Sequence, residues 1–380
     1  MNAIFRRSLP YLILSVLATN LFAVEPIVIV SDDNAKAPKQ PQAAVATDGT
    51  VHLVYGSGDA VFHCRSTDGG LSFEKPKEAF RTSNLSLGMR RGPRIAVANK
   101  TLVVTAIGGQ QGKGRDGDLR AWRSVDRGAT WKGPVNVNDT PDSAREGLHG
   151  MSAGVDGSVW CVWLDLRDKR TEVFASKSID GGATWQANVR VYQSPDGNVC
   201  ECCHPSIAVA DGIAHIMFRN SLAGNRDMYI ATSKDGGMSF TPAKKLGQGA
   251  WKLDACPMDG GMLSAGPKGS LATVWRRKGE VFMVADNGGN EKSLGRGEQP
   301  WVASSKRGTI IVWTASREGD LLIQMAGENQ PQKLSEGARD PMVASATDGE
   351  GPVIACWESK REGQSIISAA RIDLRQLKSR

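Results

Sequence analysis

An eight-residue phrase written four times constrains this chain more than any other feature in it. "STDGGLSF" starts at Ser66, and "SVDRGATW", "SIDGGATW" and "SKDGGMSF" start at Ser124, Ser178 and Ser233, at intervals of 58, 54 and 55 residues. A recurrence of this length marks an architecture that stacks or circles one small unit. Each phrase joins two segments of alternating polarity, as in "VFHCRSTDGGLSF" and "VFASKSIDGGATW", which is the pattern of a hairpin between half-buried strands. In such a turn Asp68, Asp126, Asp180 and Asp235 can fold their carboxylates over backbone N–H groups, and Gly70, Gly128, Gly182 and Gly237 allow positive φ. Phe73, Trp131, Trp185 and Phe240, which end the phrases, can bury against the neighbouring sheet. The phrase is thus read as scaffold, and the four Asp residues as structural.

Two further strands precede each turn, as in "PRIAVANKTLVVTAIGG" and "HPSIAVADGIAHIMFRN", so the unit is a four-stranded antiparallel sheet. Three more units have worn turns, and inner strands are expected near Pro41, Pro93, Gly150, Pro205, Pro257, Pro300 and Pro341. Seven such sheets in series are most simply set in a ring, because a β-propeller leaves only short, protected edges. The expected fold is all-β, a single propeller domain over residues 24–380 with seven blades counted and no helix longer than a turn or two. The last unit lacks an outer strand, which "PIVIVSDD" from Pro26 to Asp33 can supply to close the ring. Trp122, Trp160, Trp163, Trp275, Trp313 and Trp357 lie in strand patterns and are expected in the core.

Residues 1–23 read as a signal peptide, with Arg6 and Arg7 before an apolar run from Leu9 to Phe22 and small Ala23 as the cleavage point. Export to the periplasm or cell exterior is expected. No later segment has the length of apolar chain that crosses a membrane as a helix, so no membrane insertion is expected. The chain carries 47 basic and 40 acidic residues, net +7, and losing Arg6 and Arg7 lowers this to +5. The basic residues form no run of five or more, which argues against nucleic acid as a partner. No cofactor is implied, and a monomer is expected.

In a propeller, the lead-ins to the inner strands and the loops between strands two and three gather at one mouth of the central channel, opposite the Asp turns. The lead-ins are "GMRRGPR", "AREGLHG", "VCECCHP", "KLDACPMD", "RGEQP" and "ARDP", rich in Arg, Asp, Glu and His. Such a mouth suits an acidic or polar glycan, because guanidinium groups grip carboxylates with paired hydrogen bonds. Arg145, Glu146 and His149 crowd one lead-in, and Glu146 or His149 can act as acid or base. Arg339 and His204 are further substrate-binding candidates. Four cysteines, Cys200, Cys202, Cys203 and Cys256, fall at the mouth, and two disulfides among them are the default for an exported chain. The alternative is a metal held by Cys200, Cys202, Cys203, His204 and Cys256. Cys64, Cys161 and Cys356 lie in strands and are expected as apolar fillers.

The four phrases resemble the Asp-box, or BNR repeat, of the sialidase superfamily. The resemblance covers nearly all of the chain after the leader and implies a sialidase-like propeller, of six blades in that superfamily as against the seven units counted here. The second unit, with "PRIAVANKTLVVTAIGG" and "GRDGDLRAWRSVDRGATW", is similar to the arginine-bearing unit of sialidases, apart from Ala96 where Pro is usual. By that resemblance Arg94 grips a substrate carboxylate and Asp116 is the general acid/base. Sialidases also use a late-blade tyrosine nucleophile, whereas here Tyr55, Tyr192 and Tyr229 all precede the fifth unit. The expectation is therefore an exo-α-sialidase-like glycoside hydrolase in which water attacks directly, or else a non-catalytic propeller that binds glycan or protein at the same mouth.

Overall fold

The computed structural model describes residues 25–32, 36–285 and 289–374. The leader expected over 1–23 lies outside them. Five separate four-stranded antiparallel sheets and one seven-stranded sheet follow in chain order. Blade 1 runs Lys39–Val45, Val51–Ser57, Ala60–Ser66 and Lys77–Arg81, from the inner strand outward. Blades 2 to 5 repeat the pattern from inner strands Arg94–Ala98, His149–Ala153, Ser206–Ala210 and Met262–Ala265.

The seven-stranded sheet is two blades fused through one long strand, Gln332–Ala344. Its first half is the outer strand of blade 6, with Gln332 opposite Ile323. Its second half is the inner strand of blade 7, with Met342 opposite Cys356. Ile27–Asp32 then adds to Gln364–Ile372 as the outer strand of blade 7, with Ile27 opposite Ala369. This strand thus closes the ring on the last blade, as the sequence allowed, and among the described residues the four-stranded units number seven. Each inner strand also packs on the next, from blade 1 round to blade 7 and back to blade 1.

Second strands are buried on both faces because a sheet lies against each. Val159–Asp165 is buried at all seven positions, so its sequence, VWCVWLD, is a continuous apolar run rather than an alternation. Burying each large apolar side chain of this kind contributes roughly 1.5–3 kcal/mol. The six tryptophans expected in the core are all buried, as are Cys64, Cys161 and Cys356. Blade 5 departs from expectation in one respect. Its inner strand starts at Met262 rather than near Pro257, because the lead-in spends these residues on the channel mouth.

The four Asp turns share one set of hydrogen bonds. In the first, the Ser66 hydroxyl donates to Asp68 Oδ1 at 2.6 Å and accepts from Gly70 N, while Ser72 N donates to Asp68 Oδ1 at 3.0 Å. Asp126, Asp180 and Asp235 repeat this with Ser124, Ser178 and Ser233. Hydroxyl donors from Ser66 and Ser72 hold the Asp68 carboxyl well below the usual carboxylate range. Each turn also seats on the preceding blade. A Cβ at Gly128 would lie 2.2 Å from His63 of blade 1, one at Gly182 2.9 Å from Val103 of blade 2, and one at Gly237 2.7 Å from Trp160 of blade 3. Gly70 of blade 1 meets Ile354 of blade 7 in the same way, at 2.5 Å. The phrase is therefore an inter-blade wedge, which is why its second glycine never varies while the first is replaced by Arg127 at φ +61°.

Candidate functional site

The lead-ins converge on one mouth, as the connectivity demands. A cavity of about 470 Å³ opens there between blades 5, 6, 7 and 1. Its walls carry the cations Lys39, Arg276, Arg317 and Arg339 and the acids Asp259, Glu298, Asp340 and Glu358. A narrower space of about 180 Å³ lies along the channel and is lined by Arg94, His149, His204 and Trp301.

The mouth is organised by backbone strain held in a hydrogen-bond network. Gln40, Gln299 and Asp340 have φ of +56°, +55° and +46°, and each precedes the proline that opens an inner strand. Left-handed backbone at a non-glycine residue costs roughly 1–3 kcal/mol and persists only where its surroundings over-determine it. Gln40 donates from its backbone N to Glu358 Oε1 at 2.6 Å, and from Nε2 to Asp340 Oδ2 at 2.7 Å and Glu358 Oε1 at 3.2 Å. Gln299 donates from Nε2 to Asp340 Oδ1 and accepts from Asp340 N, both at 2.9 Å, while its own N donates to Asp259 Oδ2 at 2.7 Å. The strained residues thus hold one another.

Buried Arg90 pins the network from blade 2. It donates to the Gln299 and Pro341 carbonyls at 2.6 and 3.0 Å, lies 3.5 Å from Asp340 Oδ1 and covers the Trp301 ring. Arg339 bridges Glu358 and Glu318, each at 3.0 Å. Burial, reinforced by the charge of Asp340, pushes the Glu358 carboxyl up to about 7. Asp259 is also raised by burial, against the pull of Arg90. Two carboxyls that burial pushes upward thus stand beside a rim of cations.

The structure disperses the sequence candidates. Of the catalytic and substrate-binding candidates only Arg339 lines the mouth cavity, together with Cys256 of the metal alternative. Arg94 is buried and gives its guanidinium to the carbonyls of Arg90, Gly92 and Pro93 at 2.5–3.3 Å, so it braces its own lead-in rather than facing a substrate carboxylate. Asp116 accepts from the backbone N of Gln110, Gln111 and Gly112 at 2.5–2.8 Å, and these bonds hold it below its ordinary range. It is an ionised loop cap and not a proton donor. His149 is fully buried with Nε2 3.0 Å from Thr105 Oγ1, and His204 has Nε2 3.3 Å from Met262 Sδ. Burial and nearby arginines keep both imidazoles neutral. Arg145 is exposed and Glu146 half-buried on the rim of blade 3; burial raises the Glu146 carboxyl.

"CECCH" is likewise divided. His204 turns into the channel against Trp301, whereas the three thiols cluster away from it. All seven cysteines are free, so the expected disulfides are not formed.

Gln40, Arg90, Asp259, Gln299, Asp340 and Glu358 were missed as individual residues, although five of the six lie in or beside lead-ins. A signal for three of them was available: Gln40, Gln299 and Asp340 directly precede an inner-strand proline. Glu358 follows fully buried Trp357 at the register where Arg276 follows Trp275.

A BNR repeat-like domain model matches residues 96–306, more than half of the chain. The chain belongs to this family. As a sialidase-like BNR propeller it shares its fold with an α-L-arabinanase of Penicillium chrysogenum solved with arabinobiose (TM-score 0.57, 14% identity, 93% of this chain and 99% of that one). A Hadza microbial sialidase aligns with TM-score 0.54 and 15% identity over 89% of this chain and 66% of its own. An ulvan lyase of polysaccharide lyase family PL25 gives TM-score 0.58 and 11% identity over 90% and 95%. Identities this low establish a common fold alone. No curated protein sequence matches this BNR propeller significantly.

Proposed function

We propose that the chain is a glycoside hydrolase of the sialidase-like group acting on an acidic or polar glycan at the mouth cavity. The observation that carries this reading is the Asp340–Glu358 pair. One nitrogen, Gln40 Nε2, bonds both carboxyls at 2.7 and 3.2 Å, which keeps the two oxygens within about 6 Å of each other. Retaining glycosidases hold their two carboxyls roughly 5–5.5 Å apart. Glu358, neutral up to about pH 7, protonates the leaving glycosidic oxygen. Asp340, flanked by Arg90 and two amide donors, faces the developing positive charge as nucleophile or stabiliser. Arg276, Arg317 and Arg339 orient the acidic substituent.

The tyrosine-dependent sialidase route has no support here. Tyr55, Tyr192 and Tyr229, the tyrosines among the described residues, lie in strands of blades 1, 3 and 4, and none lines the mouth. Export through residues 1–23 belongs to the same proposal, with N-terminal sequencing of the secreted product as its check.

A screen of uronic-acid, sialic-acid and neutral aryl glycosides tests the reading. Turnover should appear on at least one substrate and fall by a hundredfold or more in Asp340→Asn and Glu358→Gln, in line with the usual contribution of general acid–base catalysis. Turnover that survives both substitutions refutes the assignment. One observation favours a second reading, a non-catalytic glycan-binding propeller: both Glu358 oxygens already accept protein hydrogen bonds. Saturable glycan binding without release of sugar would establish that reading instead.

A further inference from the structure

The free thiols of Cys200, Cys202 and Cys203 form a triangle. The Sγ–Sγ separations are 3.7 Å for Cys200–Cys202, 3.5 Å for Cys200–Cys203 and 3.9 Å for Cys202–Cys203. A tetrahedral ion with metal–sulfur bonds of about 2.3 Å sets its sulfurs about 3.8 Å apart. The triangle therefore has the edge lengths of one face of a thiolate coordination tetrahedron. A disulfide needs a sulfur–sulfur distance of about 2.05 Å, and bonding any two of the three would leave the third to pair with Cys256 or stay free.

The backbone builds this face. Cys203 N donates to Cys200 O in a tight turn, and Cys200 N donates to Arg219 O at 3.0 Å, tying the turn to the second strand of blade 4. Cys200 and Cys203 are buried, and Cys202 is half-buried and is acted on by the Cys256 thiol. Cys256 is exposed and comes from the lead-in to blade 5, so the fourth corner would be supplied from a different blade.

A second observation concerns charge. Arg219 is fully buried, and its guanidinium donates to the carbonyls of Arg226, Asp259 and Arg276 at 2.6–3.2 Å. Among the described residues no carboxylate lies at ion-pair distance from it. Its charge acts on Cys200 and Cys203. A divalent ion on three or four thiolates is a net anion, and it would add to the attraction that Arg219 already exerts on the Asp259 carboxyl.

We propose that Cys200, Cys202 and Cys203 bind a thiophilic divalent d10 ion of the zinc class, with Cys256 as the fourth ligand. Soft thiolates select such ions over magnesium or calcium. The ion would clamp the lead-in of blade 4 to that of blade 5, three residues before Asp259 and on the wall of the mouth cavity. His204, facing the channel, takes no part. The proposal stands independently of the glycan reading, since it concerns metal and thiols alone.

The test uses the whole chain, purified with reductant, stripped by chelator and titrated with Zn(II) and with Co(II) as a spectroscopic probe. One ion should bind per chain, and Co(II) should show thiolate-to-metal charge-transfer bands. Bound zinc should protect Cys200, Cys202, Cys203 and Cys256 from alkylation, as read by peptide mass spectrometry. Cys202→Ser and Cys256→Ser alter the two more accessible ligands, and each should weaken zinc by at least about tenfold while circular dichroism stays native. Wild-type binding no tighter than that of the Cys202→Ser variant overturns the site, as does recovery of Cys200–Cys203 and Cys202–Cys256 disulfide peptides from protein purified without reductant. Unchanged affinity in Cys256→Ser overturns the fourth ligand.

Discussion

Glu358 makes the mouth network measurable without knowing a substrate. Its carboxyl is raised from 4.5 to about 7, first by burial and then by the charge of Asp340. The folded state therefore binds this proton more tightly than the unfolded chain does, and stability must fall as pH rises. The contribution is complete below about pH 4.5 and is lost progressively up to about pH 7. At about 1.36 kcal/mol per pKa unit, the shift amounts to about 3 kcal/mol. In Glu358→Gln the side chain stays neutral, so this part of the slope should vanish whatever the substitution does to absolute stability. Urea unfolding followed by tryptophan fluorescence, at intervals between about pH 4.5 and about pH 8, gives both curves. The wild-type minus variant difference should decline by about 3 kcal/mol across that window. Asp259 is also raised by burial, but it is present in both proteins and cancels in the difference. Parallel curves would mean that Glu358 is ionised throughout, and would remove the proton donor from the proposed mechanism.

The inter-blade wedge predicts unequal effects at adjacent glycines of one turn. Gly236→Ala, at φ +74° with nothing within 4 Å of the new Cβ, should cost about 1 kcal/mol of backbone strain. Gly237→Ala, at φ +99° with the Trp160 ring at 2.7 Å, should cost a further 1–3 kcal/mol or so; equal urea midpoints would refute the packing role. Arg90→Met should destabilise by about 3–5 kcal/mol in the same assay, because it leaves Asp340 buried without its cation. A loss under about 1 kcal/mol would show that the amide donors suffice. Ile29→Asp places a charge in the closing strand, against the core shared by blades 6, 7 and 1, and should cost about 2–4 kcal/mol. An unchanged thermal midpoint would mean that the ring holds without that strand.

What could be read from the chain divides along the range of the interactions concerned. Hairpins, the Asp turns and the buried tryptophans follow from neighbours a few residues apart, and alternation and turn chemistry record them directly. Closure by the strand Ile27–Asp32 was also legible, because the last unit was visibly one strand short and an unpaired edge has few other remedies. The mouth was not, for a reason built into the propeller itself. The Gln40–Glu358 and Gln40–Asp340 bonds span 318 and 300 residues, and Arg90 meets Pro341 across 251. The place before an inner-strand proline marks Gln40, Gln299 and Asp340 locally, but no local pattern shows which distant residues they meet. Arg94 and Asp116 stood out in sequence because the segment around them resembles a known unit. Yet in this chain the tight lead-in turns Arg94 back onto its own carbonyls, and the Gln110–Gly112 loop closes over Asp116. A resemblance transmits the blade, which is local. The site is a property of the ring, assembled where five blades each contribute one to three side chains, and it can change while every repeat remains recognisable.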